Sequence, residues 1–215
     1  MTQLLELGVL GGLLALDATA VGQFMVSRPL VAGVLTGWIV GDPLLGMEIG
    51  AILELYLLVS FPTGGARFPE GSTATVVAVG SSVATGGAGA VPLAIALGLL
   101  WGQVGGFSIT VQRRINGRIV TEEPGTTATA RHLGAIGLDF LRGTALSVTG
   151  IVLGRTLLPP LARGWPLDGA ASAGLLLAGG AVSAGILLRS LGGFRQRRIL
   201  LVLGIALGIV GARFL

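Results

Sequence analysis

The sequence has no cysteine and no lysine, one histidine, and few charged residues of any kind. The absence of cysteine excludes disulfides, thiolate metal sites and cysteine nucleophiles, and a single histidine excludes a metal site built from several imidazoles. Charged residues make up 11% of the 215 residues, against about a quarter in soluble domains. Because so few charges cannot solvate a soluble domain of this size, the chain is predicted to be an integral membrane protein.

The residues that are present are mainly apolar, at 52% of the chain with a mean hydropathy of +0.88. They form long runs rather than short alternating segments, which favours helices over a membrane β-barrel. The fourteen basic residues are all arginine, and excess arginine in a membrane protein usually marks cytoplasmic loops. No basic stretch is interleaved with aromatic residues, so nucleic-acid binding is not expected. The predicted fold class is all-α, a polytopic integral membrane protein.

The apolar runs differ between the two halves of the chain. They fall at 4–16, 29–41, 44–61, 74–80, 91–111, 143–161, 169–188 and 199–215. Only the last four resemble ordinary spans, whereas the earlier runs are short and interrupted by glycine, proline and single charges. This pattern is typical of broken or re-entrant helices beside a transport site. We therefore predict a substrate-site membrane half with interrupted helices at 1–111, a cytoplasmic polar loop at 112–142, and three transmembrane helices at 143–215.

The arginine residues also predict a topology. One cluster lies in 112–142 and a second in 189–198. Two predicted spans separate the clusters and return the chain to the same side, so both clusters can be cytoplasmic. The loop from Pro159 to Asp168 and the C-terminus are then expected to face outward.

Glycine is abundant, with 38 residues, and it recurs at every fourth position in two stripes. The stripes are Gly33, Gly37, Gly41 and Gly98, Gly102, Gly106. Small residues at this spacing let helix backbones approach closely. We expect close packing along both stripes, and the helix from Gly33 to Gly41 is a candidate for contact with an oligomer mate or a partner subunit.

Glu54 is the sharpest candidate for a functional residue, because it is flanked by apolar residues on both sides. An ionisable group at membrane depth costs at least about 2.5–3.5 kcal/mol and is functional by default. Glu54 must face a polar cavity, pair with a cation or be protonated. A carboxylate accepts hydrogen bonds from hydroxyl groups, which suits a sugar. The alternative is a structural ion pair with Arg28 or Arg67.

A second candidate is the stretch from Phe61 to Glu70, in which proline and glycine break any helix and free backbone amides and carbonyls. Those groups, with Thr63 and Glu70, could surround a polyhydroxylated ligand. The alternative is an ordinary exposed turn. The apolar flanks favour burial.

Asp17 and Gln23 interrupt the first apolar segments. Gln23 offers a donor and an acceptor, both useful for sugar hydroxyls, whereas Asp17 could instead cap a helix that begins near Ala18. His132 is more simply a solvated loop residue than a phosphorylated one, because nothing nearby orients it. No phosphate-binding loop, nucleophile elbow or metal-ligand cluster is found, so no phosphoryl-transfer residue is assigned to this chain.

The interrupted half resembles a known family over roughly residues 5–90. The matching residues, in order, are Leu16-Asp17, Gln23-Phe24, Arg28-Pro29-Leu30, Gly41-Asp42, Gly50-Ala51-Ile52-Leu53-Glu54-Leu55, Gly64-Gly65-Ala66 and Pro69-Glu70. On these residues the chain resembles the membrane subunit IIC of mannose/fructose/sorbose-type phosphotransferase systems (PTS). The remainder of the chain matches in hydrophobic character.

The resemblance implies a permease (EIIC) of the bacterial inner membrane that pairs with a IID membrane subunit and forms an oligomer. It implies that a hexose moves inward while cytoplasmic IIA and IIB subunits phosphorylate it, with phosphate derived from phosphoenolpyruvate. No cofactor is then expected in this chain. Carried over residue by residue, the acid of the Leu-Glu motif is Glu54 and the acid after proline is Glu70. Gln23 and Asp17 fall near the same substrate site.

Two other functions remain open at this point. An ion- or proton-coupled secondary transporter of a small polar solute would use Glu54 as its cation site, with uptake that depends on sodium or pH and not on phosphorylation. A non-transporting membrane partner or receptor would use the fold only as a scaffold. A genome neighbourhood without IIA, IIB and IID genes would favour either of these.

Overall fold

The computed structural model describes residues 1–60, 67–119, 126–190, 192, 198–199 and 202–206. Regular secondary structure in these residues is helical, which confirms the all-α fold class. The helices are α1 (Thr2–Thr19), α2 (Pro29–Val40), α3 (Pro43–Leu57), α4 (Gly71–Ser82), α5 (Ala90–Ile119), α6 (Thr126–Arg163) and α7 (Gly169–Ser190).

Among the residues that the structure describes, three helices are long and apolar enough to cross a membrane: Ala90–Arg118, Ala128–Arg163 and Gly169–Ser190. They contain the three runs predicted as ordinary spans between 91 and 188. Most of the fourth predicted span, 199–215, lies outside the described residues.

Two stretches that were expected to form loops are helical. Helix α6 runs through Pro159 and Pro160 to Arg163, so the loop predicted to begin at Pro159 is wrong. The helix is tolerated here because the two prolines lie near its end and remove few backbone hydrogen bonds. The preceding residue, Leu158, is buried in the core and anchors this last part of α6. Residues 112–119 and 126–142 are likewise helical rather than loop, as continuations of α5 and α6. The division of the chain into three regions stays a prediction.

Helices α2, α3 and α4 have only 12, 15 and 12 residues, in agreement with the predicted interruptions. α2 ends at Gly41, whose φ of 88° is the left-handed conformation that glycine adopts without strain. Asp42 then caps α3 by accepting a 3.0 Å hydrogen bond from the Leu45 N–H. Asp42-Pro43 therefore closes one helix and opens the next, and α2 and α3 form a short hairpin.

The first glycine stripe packs inside the chain. A Cβ atom on Gly33 would lie 2.9 Å from the Gly50 Cα atom, and one on Gly37 would lie 2.8 Å from the Pro43 Cα atom. These contacts join α2 to α3 at backbone distance. Gly33 and Gly37 thus pack against α3 within the chain, and contact of the Gly33 to Gly41 helix with an oligomer mate or a partner subunit stays a prediction.

The second stripe supports the site region. A Cβ atom on Gly98 would lie 3.0 Å from the Ala74 carbonyl oxygen, and one on Gly102 would lie 3.5 Å from the Glu70 carbonyl oxygen. Helix α5 therefore lies close against α4 and the segment before it. The backbone N–H of Glu70 donates a 2.8 Å hydrogen bond to the Gly102 carbonyl oxygen, which fixes the entry into α4.

Helix α4 is the central element, because its residues from Ser72 to Ser82 are all buried. It contacts α1, α2, α3, α5 and α6. Its sequence contains only glycine, serine, threonine, alanine and valine, and such small side chains let several helices approach it at once. The start of α4 consequently lies inside the protein, and this placement creates the site described next.

Candidate functional site

A partly open cavity lies where the ends of the short helices meet. The first residues of α2 and α4 and the last turns of α3 contribute to it, and its volume is about 100 Å³. The lining residues are Ala18, Ser27, Arg28, Pro29, Glu54, Leu57, Ser60, Phe68, Pro69, Glu70, Gly71 and Ser72. Both carboxylates singled out from the sequence, Glu54 and Glu70, therefore lie in one cavity.

Glu54 forms an ion pair with Arg28 on the wall of this cavity. Its second carboxylate oxygen lies 3.4 Å from the backbone N–H of Leu30. The side chains of Arg28 and Glu54 are 35% and 19% exposed, so the pair is accessible. The ion pair considered as an alternative is therefore present with Arg28. An ionised carboxylate has about four acceptor positions, so this pairing leaves Glu54 able to accept from a ligand hydroxyl.

Glu70 is 1% exposed and its carboxylate is held on both oxygens. Arg142 donates from Nη1 to Oε2 at 3.0 Å and from Nη2 to Oε1 at 2.8 Å, and the Thr73 hydroxyl donates to Oε2 at 2.9 Å. The alternative of an exposed turn at Glu70 is wrong, because the residue is buried. This bidentate geometry is the strongest that a carboxylate forms with a side chain.

Arg142 connects Glu70 to two further helices. Its Nε donates to Asp139 Oδ1 at 2.8 Å, and its Nη1 donates to Ser108 Oγ at 2.8 Å. The other oxygen of Asp139 accepts from the Thr19 hydroxyl. This buried network joins α1, α5 and α6 to the start of α4. The network therefore holds the start of α4 in place. Removing one partner of the buried ion pair would leave an uncompensated charge inside the protein.

Arg142 and Asp139 were missed as site residues because both fall in the stretch predicted to be a polar loop. Their spacing of three residues places them on one face of a helix, and Leu138, Phe140 and Leu141 surround Asp139 with apolar residues. Charges inside an apolar helical pattern would have indicated a buried pair. The cluster of arginines earlier in 112–142 masked that signal.

The other predicted site residues have different positions. Asp17 does not cap a helix at Ala18, since α1 continues to Thr19. Its carboxylate instead accepts from the N–H groups of Phe24 and Ser27 at 2.7 and 2.8 Å, and so shapes the turn that leads to Arg28. Gln23 is exposed in that turn and has a φ of 51°. Asp17 and Gln23 are not among the residues that line the cavity. Thr63 lies outside the described residues.

The cavity is suited to binding a polar ligand. It presents carboxylates, a guanidinium, serine hydroxyls and the N-terminal backbone of two helices beside the apolar Leu57 and Phe68. His132 is in helix α6 rather than in a loop and is exposed, with Nδ1 2.9 Å from the Ala128 carbonyl oxygen. No group of three or more metal-ligating side chains lies together among the described residues. The role of each predicted site residue stays a prediction.

Comparison with known proteins places this architecture in a family. A solved structure titled "Structure of membrane protein" shares 18% sequence identity with the chain at a TM-score of 0.71, covering 100% of this chain and 93% of that one. At that identity the likeness shows the fold alone. No curated protein sequence matches. The family model of the PTS system sorbose-specific IIC component matches residues 1–184. The chain therefore belongs to that family and is a sugar permease subunit of the phosphotransferase system, located in a membrane.

Proposed function

We propose that this chain is the IIC subunit of a mannose-type PTS, and that it binds a hexose in the Glu54 cavity and translocates it across the bacterial inner membrane as a multi-pass protein. The observation that carries the proposal is the accessible Glu54–Arg28 pair at the meeting point of interrupted helices. Short, interrupted helices whose ends meet at membrane depth are a common setting for transporter binding sites.

The cavity chemistry supports a neutral sugar. Glu54 is paired with Arg28 and Glu70 with Arg142, so neither carboxylate requires a cation from solution. Glu54 can accept from sugar hydroxyls, and Arg28 can donate to them. Leu57, Phe68 and Pro69 supply apolar surface for the C–H faces of a pyranose ring.

Membership of the family implies that other PTS components act with this chain in a sugar transport complex. We propose that these are a IID membrane subunit and cytoplasmic IIA and IIB subunits, with phosphate from phosphoenolpyruvate reaching the sugar on the soluble subunits. This chain would then provide the path, and its own residues would bind and release the sugar. Alternating access would move the Glu54 cavity between the two sides.

The test is uptake of radiolabelled hexoses into vesicles that contain this chain, its IID partner and the soluble PTS proteins. We expect accumulation of the sugar phosphate only when the partners and phosphoenolpyruvate are present. Accumulation of free sugar driven by a proton or sodium gradient would instead show an ion-coupled secondary transporter, and it would refute the proposal.

The site is tested separately with Glu54→Gln. Hydrogen bonds to a charged group contribute about 1.5–3 kcal/mol, so sugar affinity should fall by roughly ten- to a hundredfold while the folded complex is retained. Glu48→Gln is the matched control, because Glu48 is an exposed carboxylate on the same helix and does not line the cavity. Unchanged affinity in Glu54→Gln would remove Glu54 from the binding site.

A further inference from the structure

The hydroxyl group of Ser72 is buried in the wall of the Glu54 cavity without a hydrogen-bond partner. The residue is 1% exposed. Among the described residues, the buried side-chain polar atoms without a partner belong to Ser72, Ser81, Trp101, Thr144 and Ser147. Of these five residues, Ser72 is the one that lines the cavity. A buried hydroxyl without a partner is uncommon and calls for a specific explanation.

The first turn of α4 also has backbone donors that the helix itself does not satisfy. Ser72 is the second residue of α4, and Glu70 at the N-cap provides no side-chain capping hydrogen bond. Its carboxylate is instead held by Arg142 and Thr73. The first backbone N–H of α4 that donates to the Glu70 carbonyl oxygen is that of Ala74, with an N···O distance of 3.2 Å. The amides before it, at Gly71 and Ser72, belong to the turn whose donors have no intrahelical acceptor.

These two features place hydrogen-bond donors on one wall of the cavity. Gly71 and Ser72 line it at the start of α4, while Glu54 lines it from α3. A hydroxyl oxygen can accept a hydrogen bond from the Ser72 side chain and from an amide of the helix N-terminus, whereas Glu54 can accept a hydrogen bond from another hydroxyl. A neutral polyol with hydroxyls on both sides would use both walls at once.

We propose that Ser72 and the first turn of α4 bind one particular hydroxyl of the substrate and thereby discriminate against sugars that lack this hydroxyl. The inference rests on the proposed function of the cavity and assigns a specificity-determining residue within it. A site built to hydrogen-bond a given hydroxyl discriminates strongly against analogues that lack it, because its buried polar groups then stay unpaired.

The experiment measures equilibrium binding of the preferred hexose and of its series of monodeoxy analogues to the purified complex. Ser72→Ala should weaken binding of the parent hexose about 5–20-fold, and the weakening should disappear for the one analogue that lacks the contacted hydroxyl. Ser81→Ala is the matched control, since Ser81 is a buried serine on the same helix, also without a side-chain partner, that lies outside the cavity. It should bind every analogue as the unmodified protein does.

Two results would overturn the assignment while leaving the proposed function intact. One is unchanged affinity of Ser72→Ala for the parent hexose. The other is an equal loss for every analogue, which would indicate a structural effect. If Ser72→Ala does not fold, Ser72→Cys replaces it, because a thiol has similar shape but is a weak donor. Failure of the unmodified complex to bind any hexose would instead refute the proposed function itself, and the assignment with it.

Discussion

Glu54 and Glu70 look alike in the sequence, yet they occupy two different sides of one cavity. Each carboxylate is paired with an arginine, but the Glu54–Arg28 pair is 19% and 35% exposed, whereas the Glu70–Arg142 pair is 1% and 9% exposed. On the accessible side, Glu54 is paired with Arg28. On the buried side, Glu70 belongs to a hydrogen-bond network that reaches α1, α5 and α6. The difference shows that burial of the partner decides whether an acid is available to a ligand or serves to hold helices together.

The energetics of the two sides follow from the same distinction. An exposed ion pair is worth at most about 1 kcal/mol, because water screens it. Removing one partner of a buried pair costs about 3–5 kcal/mol, because the remaining charge has lost its compensation. The buried side is thus expected to affect folding, and the accessible side is expected to affect binding.

Arg142→Ala should have the largest effect on stability. Glu70 and Asp139 would lose their shared cation inside the protein, so the free energy of unfolding should fall by about 3–5 kcal/mol. Thermal unfolding of the purified protein in detergent measures this change. Arg142→Lys is the informative comparison, since it keeps the charge but loses the bidentate geometry and should be intermediate. A loss below about 1 kcal/mol for Arg142→Ala would contradict the structural role of the network.

Gly105→Ala should have the next largest effect, because it acts on Glu70 without changing a charge. The added Cβ atom would lie 2.7 Å from the Glu70 Cβ atom and 3.0 Å from Thr73 Oγ1. Overpacking of this kind costs about 1–3 kcal/mol. Gly117→Ala is the control on the same helix, since nothing lies within 4 Å of its added Cβ atom. It should be neutral or slightly stabilising, and a similar loss in both variants would show that α5 is not specifically tight at Glu70.

Arg28→Ala should have the smallest effect on folding. Arg28 is partly exposed and its ion pair is screened, so the free energy of unfolding should change by no more than about 1 kcal/mol. Its effect should appear in sugar binding, because Glu54 loses the cation that orients its carboxylate. Parallel measurements of thermal stability and sugar affinity separate the two effects. If stability fell as far as in Arg142→Ala, the contrast between the two sides of the cavity would be lost.

Much of the fold followed from local sequence signals. The interruptions at Arg28-Pro29 and Gly41-Asp42-Pro43 coincide with helix boundaries, because proline and left-handed glycine act through the local backbone. The isolation of Glu54 and Glu70 in apolar surroundings likewise marked both as residues that need an explanation. These signals depend on a few neighbouring residues.

The largest error, at Arg142, comes from a contact between distant parts of the chain. Arginines were assigned to one loop by their density, although Arg142 lies buried against Glu70, 72 positions away in the chain. The first glycine stripe predicted close packing, but the element that packs against it, α3, is known only from the folded structure. Asp17 was a candidate helix cap, and the structure uses it to bind the amides of the following turn.

An all-helical membrane protein with an interrupted first half could be read from the amino-acid sequence, because hydropathy and helix-breaking residues act over a few turns of chain. Its ordered motifs also indicated the PTS family. The accessibility of Glu54 and the burial of the Glu70 carboxylate could be seen only in the folded protein. That distinction depends on which arginine each acid meets, and on how deeply the pair lies among helices far apart in the chain.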